Sequence, residues 1–121
     1  MALREKVEDL YQKIYGGQLL EAFEQYYADD VVMQEIGQEP RVGKPTNRAY
    51  EEQFVNGIKA FHAGAVKAIA VDETGPDSGT AFIESDMHFD HAAYGDDIKS
   101  EQVAVQTWRD GKIVRELFYH A

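Results

Sequence analysis

From Ala63 to His120 the chain reads almost entirely as strand, and this half constrains the fold more than any motif does. "AGAVKAIAV" is one run, closed by the turn-rich "DETGPDSG". "TAFIESDMHFDHAAY" and "IKSEQVAVQTW" are two long alternating runs joined through "GDD", and "DGK" turns the chain into a last run, "IVRELFYH". Four consecutive strands with short turns make an antiparallel meander.

The first half has helical spacing instead. Leu3, Val7, Leu10 and Ile14 recur on one face, with Tyr11 at its edge, and Gly16-Gly17 closes that helix. Leu19, Leu20, Phe23 and Tyr27 form the face of a second short helix. "VVMQE" is a short strand and "GQEPRVGK" a loop. Pro45 suits the first turn of a third helix, whose face uses Tyr50, Phe54, Ile58 and Phe61. Helices segregated to one side of an antiparallel sheet predict an α+β fold. A long curved sheet wrapped around helices leaves a cone-shaped cavity, a usual place for a ligand.

The 121 residues fit a single domain, 1–121, with enough apolar content (44%) for a core. No cysteine is present, so thiolate chemistry and disulfides are excluded, and a cytoplasmic setting is expected. The charged, helical start lacks the apolar segment of a signal peptide, and no apolar run reaches the ~18 residues of a membrane span. A net charge of −10 opposes phosphate backbones, so no nucleic-acid partner is expected.

"LLEAFEQYYADDVVMQEIGQEPRVG" (residues 19–43), together with this element order over the whole chain, resembles the SnoaL-like and ketosteroid-isomerase-like branch of the nuclear-transport-factor-2-like superfamily. The resemblance implies a cone-shaped, cystatin-like roll. It also implies a cofactor-independent enzyme acting by enolisation, as isomerase, cyclase or dehydratase, on a small apolar carbonyl compound. In the isomerases an aspartate ending the first strand is the general base, and the count from "YADD" places Glu35 there. The same ungapped count puts Tyr11 at the position of the oxyanion donor in the first helix. The family's second donor, a protonated aspartate in the penultimate strand, aligns with Ala104, so the pattern is broken at that point. A homodimer through the open sheet face is also implied.

Glu35 also has a plainer reading, a solvated strand end or an ion pair with Arg41. Tyr11 could equally be an amphipathic core tyrosine. Strand alternation puts Asp86, His88 and Asp90 on one face and Met87, Phe89 and His91 on the other. His88 is thus split from His91, which argues against a metal site, and none is expected. If Met87, Phe89 and His91 face a pocket, Gln102 and Ala104 lie alongside, with Phe54 and Trp108 as further lining. The last strand has two registers. A two-residue Asp110-Gly111 turn turns Arg115, Leu117 and Tyr119 inward, whereas a three-residue loop with a bulge turns in Glu116, Phe118 and His120. The resemblance favours the second, which makes His120 a candidate acid or donor. No phosphate loop, nucleophile elbow or cofactor fingerprint appears, so no cofactor is expected. Two non-catalytic readings stand beside the enzyme: an apolar-ligand-binding module, and an association domain whose cavity is filled by its own side chains.

Overall fold

The computed structural model describes residues 2–121. Its order is α1 (Leu3–Tyr15), α2 (Leu19–Tyr26), β1 (Tyr27–Glu35), β2 (Arg41–Val42), α3 (Lys44–Gly57), β3 (Ile58–Gly75), β4 (Ser78–His91), β5 (Gly95–Arg109) and β6 (Lys112–His120). The six strands form one sheet in the order β2-β1-β6-β5-β4-β3. The expected meander is its larger part, with β3 to β6 pairing antiparallel in sequence. Beside it, β1 runs parallel to β6, and β2 extends the edge as a two-residue strand where the sequence reads as loop. The fold is α+β.

In α1 the i, i+4, i+7 spacing buries Leu3, Val7 and Leu10 together with Tyr11. Gly17 ends the helix at φ +82°, a conformation glycine adopts without penalty. Tyr26 then hydrogen-bonds Asp9, tying α2 back onto α1. These helices pack on Val31, Met33, Ala81, Ile83, Trp108 and Ile113 of the sheet. Each fully buried aliphatic there contributes about 1.5–3 kcal/mol relative to an exposed one.

Three boundaries differ from the sequence reading. The third helix stops at Gly57, so Ile58 and Phe61 belong to β3 rather than to its face. A Cβ on Gly57 would lie 2.2 Å from the His91 ring, so β4 packs against bare backbone at this point. The β4–β5 connection is Ala92–Tyr94, not "GDD". Asp96 and Asp97 instead bulge opposite Asp90, whose carboxylate accepts the Asp97 N–H at 2.8 Å. Tyr27 opens β1 and does not extend the face of α2.

The last hairpin combines the two registers read from the sequence. Its turn is the two-residue one, with Asp110 at φ +52° and Gly111 at φ +80°. Trp108 pairs with Ile113 and Thr107 with Arg115, which leaves Val114 as an extra residue. That bulge flips the rest of the strand, and Glu116, Phe118 and His120 turn inward opposite Gln106, Ala104 and Gln102.

Candidate active site

A cavity of about 430 Å³ lies between the helices and the inner face of the sheet. Its walls are mainly apolar, from Ile14, Phe23, Phe54, Met87, Phe89, Ile98 and Phe118. Among its polar groups are Tyr11 of α1, Tyr27 and Glu35 of β1, Glu51 of α3, Gln102 of β5, and Glu116 and His120 of β6. A second hollow of about 500 Å³ shares Ile14, Tyr15, Leu19, Phe54 and Met87 with the first and continues between α1, α3 and β3.

Glu35 stands at the last residue of β1, where the chain leaves the sheet and Gln38 N–H donates to the Glu35 carbonyl at 3.0 Å. Its carboxylate lies between two bases. Oε2 is 3.8 Å from Arg41 Nη2, and Oε1 is 3.7 Å from His120 Nε2. Both separations exceed hydrogen-bonding distance, and Oε2 and Nη2 are buried without a partner. Arg41 is held independently of Glu35. Its Nε donates to Asn47 Oδ1 at 3.1 Å, and its guanidinium lies 3.7 Å over the Tyr50 ring. Asn47 is fully buried, and its amide donates to the carbonyls of Gly43 at 2.8 Å and Arg41 at 3.0 Å. The ion pair with Arg41 and the place beside the cavity are therefore one arrangement. A fixed cation compensates the glutamate's charge from behind without hydrogen-bonding it.

Below Glu35 is a buried polar chain. Tyr27 Oη lies 2.5 Å from Glu116 Oε1, Gln106 Nε2 is 2.7 Å from Glu116 Oε2, and Trp108 Nε1 is 2.9 Å from Gln106 Oε1. Met33 pairs with Glu116 and Glu35 with Phe118, so the two glutamates stand on adjacent strands with Cα atoms roughly 8 Å apart. Burial pushes Glu116 up to about 7, with the charge of Glu35 adding, against the hydrogen bonds from Tyr27 and Gln106 and the pull of Arg41. Glu51 is only partly accessible, through the cavity it lines. Burial followed by the charge of Glu116 pushes it up to about 7 as well. Tyr11 and Tyr27 are raised well above the ordinary tyrosine value, first by burial and then by Glu116. Tyr11 borders the cavity.

Of the residues singled out from sequence, Tyr11, Glu35, Phe54, Met87, Phe89, Gln102, Phe118 and His120 line this one cavity. Three do not, and those expectations are corrected. His91 is buried outside it, with Nε2 donating to the Phe54 carbonyl at 2.9 Å and Nδ1 accepting from Ala93 N–H at 3.0 Å. Its ring stacks between Phe54 and Tyr94, so it braces the end of α3. Ala104 is fully buried in the sheet between Ile83 and Phe118, and its methyl is too short to reach the cavity. Trp108 packs edge-on to Tyr26 in the core and meets the site only through Gln106. His88 lies on the outer face, paired with Asp97 at 2.5 Å and next to the His62 ring. The described residues contain no cluster of His, Asp or Glu placed to hold a metal ion.

Sequence reasoning missed Tyr27, Glu51 and Gln106, and left Glu116 as one of two registers. A signal for Glu51 was present: Asn47, Glu51 and Phe54 share a stripe at i, i+4, i+7 with Tyr50 beside it, so the carboxylate falls on the inward face of α3.

The SnoaL-like domain model matches residues 7–116. The chain belongs to the SnoaL-like family. No curated protein matches it in sequence. Among solved structures, this SnoaL-like chain is similar to a provisionally assigned SnoaL-like polyketide cyclase from Mesorhizobium loti. Their TM-score is 0.72 at 21% identity, covering 98% of this chain and 99% of the other. It is also similar to a ketosteroid isomerase-like protein from Erwinia carotovora atroseptica, with a TM-score of 0.76 at 14% identity over 98% and 93% of the two chains. A third likeness is to a nuclear-transport-factor-2-like protein of unknown function from Burkholderia xenovorans, with a TM-score of 0.64 at 18% identity over 98% and 82%. At these identities the likeness is one of fold. No helix among the described residues is long and apolar enough to cross a membrane.

Proposed function

We propose that this SnoaL-like domain enolises a small apolar carbonyl compound, with Glu35 as general base and Tyr11 as hydrogen-bond donor to the carbonyl oxygen. One observation carries the reading. A carboxylate with a buried oxygen that accepts no hydrogen bond and a buried tyrosine share one mostly apolar cavity, on the sheet and the helix side respectively. Glu35 takes a proton from the carbon α to the carbonyl, and charge develops on an oxygen that Tyr11 stabilises. Arg41 balances the charge of Glu35 without blocking Oε1, and His120 stands close enough to Oε1 to hold a proton in transit. Returning the proton to another carbon gives isomerisation. Attack of the enolate on a second carbonyl gives cyclisation, and loss of a β-hydroxyl gives dehydration. The hollow adjoining Phe54 and Met87 suits a ligand that extends beyond its reacting end.

The test is turnover on a panel of apolar enones. Glu35→Gln should lower the rate about 10²–10⁴-fold, the contribution of a positioned base, with the fold intact. An unchanged rate would remove Glu35 from the mechanism. The main alternative is a non-catalytic apolar-ligand site, favoured by the alanine at position 104. Under it, ligand-dependent stabilisation survives loss of both Glu35 and Tyr11. The reading includes a homodimer through the outer sheet face, where Phe82, Val105 and Leu117 adjoin across three strands.

A further inference from the structure

The buried polar chain beneath the cavity has a direction. An indole N–H only donates, so Trp108 Nε1, 2.9 Å from Gln106, identifies the atom it meets as the amide oxygen. The Gln106 amide nitrogen therefore faces Glu116 and donates to Oε2 at 2.7 Å. A proton on Glu116 has one place left, Oε1, 2.5 Å from the Tyr27 hydroxyl. When Glu116 is ionised, Tyr27 must give its hydrogen to Oε1. When Glu116 is protonated, the acid hydrogen goes to Tyr27 Oη, and the tyrosine's own hydrogen is released toward the cavity that it lines with Tyr11.

We propose that Tyr27 is the second catalytic donor of this site, giving its hydroxyl hydrogen to the developing oxyanion while Glu116 holds a proton on Oε1 as the positioning residue. The inference rests on the enolisation reading and supplies the donor that the alanine at 104 lacks. Glu116 lies on the strand next to Ala104, one inward-facing pair further along, since Gln106 pairs with Glu116 and Ala104 with Phe118. Every element packed around Glu116 contributes a group: Tyr27 and Glu35 from β1, Arg41 from β2, Tyr11 from α1, Glu51 from α3 and Gln106 from β5. Burial, helped by Glu35 and opposed by Tyr27, Gln106 and Arg41, sets its titration at about 7, so both forms are populated near neutrality. The donor role moves no proton permanently. Hydrogen bonds are exchanged, and the substrate's α-proton stays with Glu35.

The test uses 2,4-dinitrophenol, a phenol ionised throughout the working range, whose phenolate oxygen stands in for an enolate. Its affinity for the intact protein is measured by calorimetry between about pH 5.5 and pH 8.5. The wild type should weaken by about 10–100-fold as pH rises through about 7, the worth of one hydrogen bond to a charged group. In Glu116→Gln the amide takes the place of the protonated acid, donating to Tyr27 and accepting from Gln106, so binding should be tighter than wild type at pH 8.5 and keep only the shallower pH slope that Glu51 leaves. Adding Tyr27→Phe to that variant should lose that tighter binding. This last comparison separates a tyrosine donor from simple repulsion by the Glu116 charge, under which the double variant would bind as well as Glu116→Gln. Wild-type affinity that is absent or pH-independent, a Glu116→Gln that weakens as steeply with pH as the wild type, or a tight double variant each overturns the proposal. The phenol has no α-proton and asks nothing of Glu35, so this result and the enone result fail separately.

Discussion

The glutamate beneath the cavity has a measurable cost. Glu116 is 1% exposed, and its acid form is favoured up to about pH 7 in the fold, against an ordinary value of 4.5. Because its folded value is raised, the native state binds more protons than the unfolded chain between those two values, and stability falls as pH rises through the window. The contribution is full below about 4.5 and is lost above about 7. A shift of this size corresponds to roughly 3 kcal/mol, of which about 2.5 kcal/mol falls between about pH 5 and pH 8.5.

Glu116→Gln removes the ionisation and keeps the hydrogen bonds, since its amide can donate to Tyr27 and accept from Gln106. The variant should match the wild type to within about 1 kcal/mol near pH 5 and exceed it by about 2–3 kcal/mol near pH 8.5. In a domain of this size that is a melting-point gain of roughly 10 °C at the higher pH. Urea unfolding followed by Trp108 fluorescence at the two pH values measures it. Glu51 titrates in the same window and with the same sign. The wild type should therefore lose stability more steeply than Glu116 alone requires, and the variant should keep a residual slope. A variant no more stable than wild type at pH 8.5, or a wild type whose stability is flat across the window, would refute the reasoning.

Three further outcomes follow from the same geometry. Asn47→Ala removes a fully buried amide that bonds Arg41 Nε, the Arg41 carbonyl and the Gly43 carbonyl, and should lower the urea midpoint by an amount equal to about 2–3 kcal/mol. Gly57→Ala drives a methyl into a His91 ring tethered at both nitrogens, and should cost about 1–3 kcal/mol in the same assay. On the outer sheet face Phe82 and Tyr119 are 41% and 43% exposed around Val105 and Leu117. Sedimentation should give twice the 13.7 kDa chain mass for wild type and a monomer for Val105→Glu with Leu117→Glu.

The fold was legible because its periods are clean. Leu3, Val7 and Leu10 mark a helix, and the long alternating runs mark strands whose order leaves few topologies. What failed was set by tertiary contacts that local patterns do not carry. Ile58 and Phe61 continue the spacing of α3 perfectly well, yet the helix ends where the His91 ring occupies the space beside Gly57. The last strand was ambiguous because turn and bulge are separate choices. Asp110-Gly111 determined the first, and the extra residue Val114 determined the face. At the site, counting from "YADD" brought Tyr11 and Glu35 together, since both hang on regular elements of fixed rise. Glu51 stayed hidden because a carboxylate on an inward face is normally read as a solvated one, and Glu116 came inward in only one of the two registers. Only the neighbours Tyr27, Gln106 and Trp108 reveal that it is held in place.

Isomerisation, cyclisation and dehydration at this site would all begin with the same step, removal by Glu35 of a proton α to a carbonyl. Hydrogen–deuterium exchange isolates that step: a panel of apolar ketones is incubated in deuterated buffer with the protein, and α-proton loss is followed by nuclear magnetic resonance. Exchange should run well above the buffer rate with wild type and fall about 10²–10⁴-fold in Glu35→Gln. Exchange at the buffer rate across the panel, or exchange that survives Glu35→Gln, would contradict that role for Glu35.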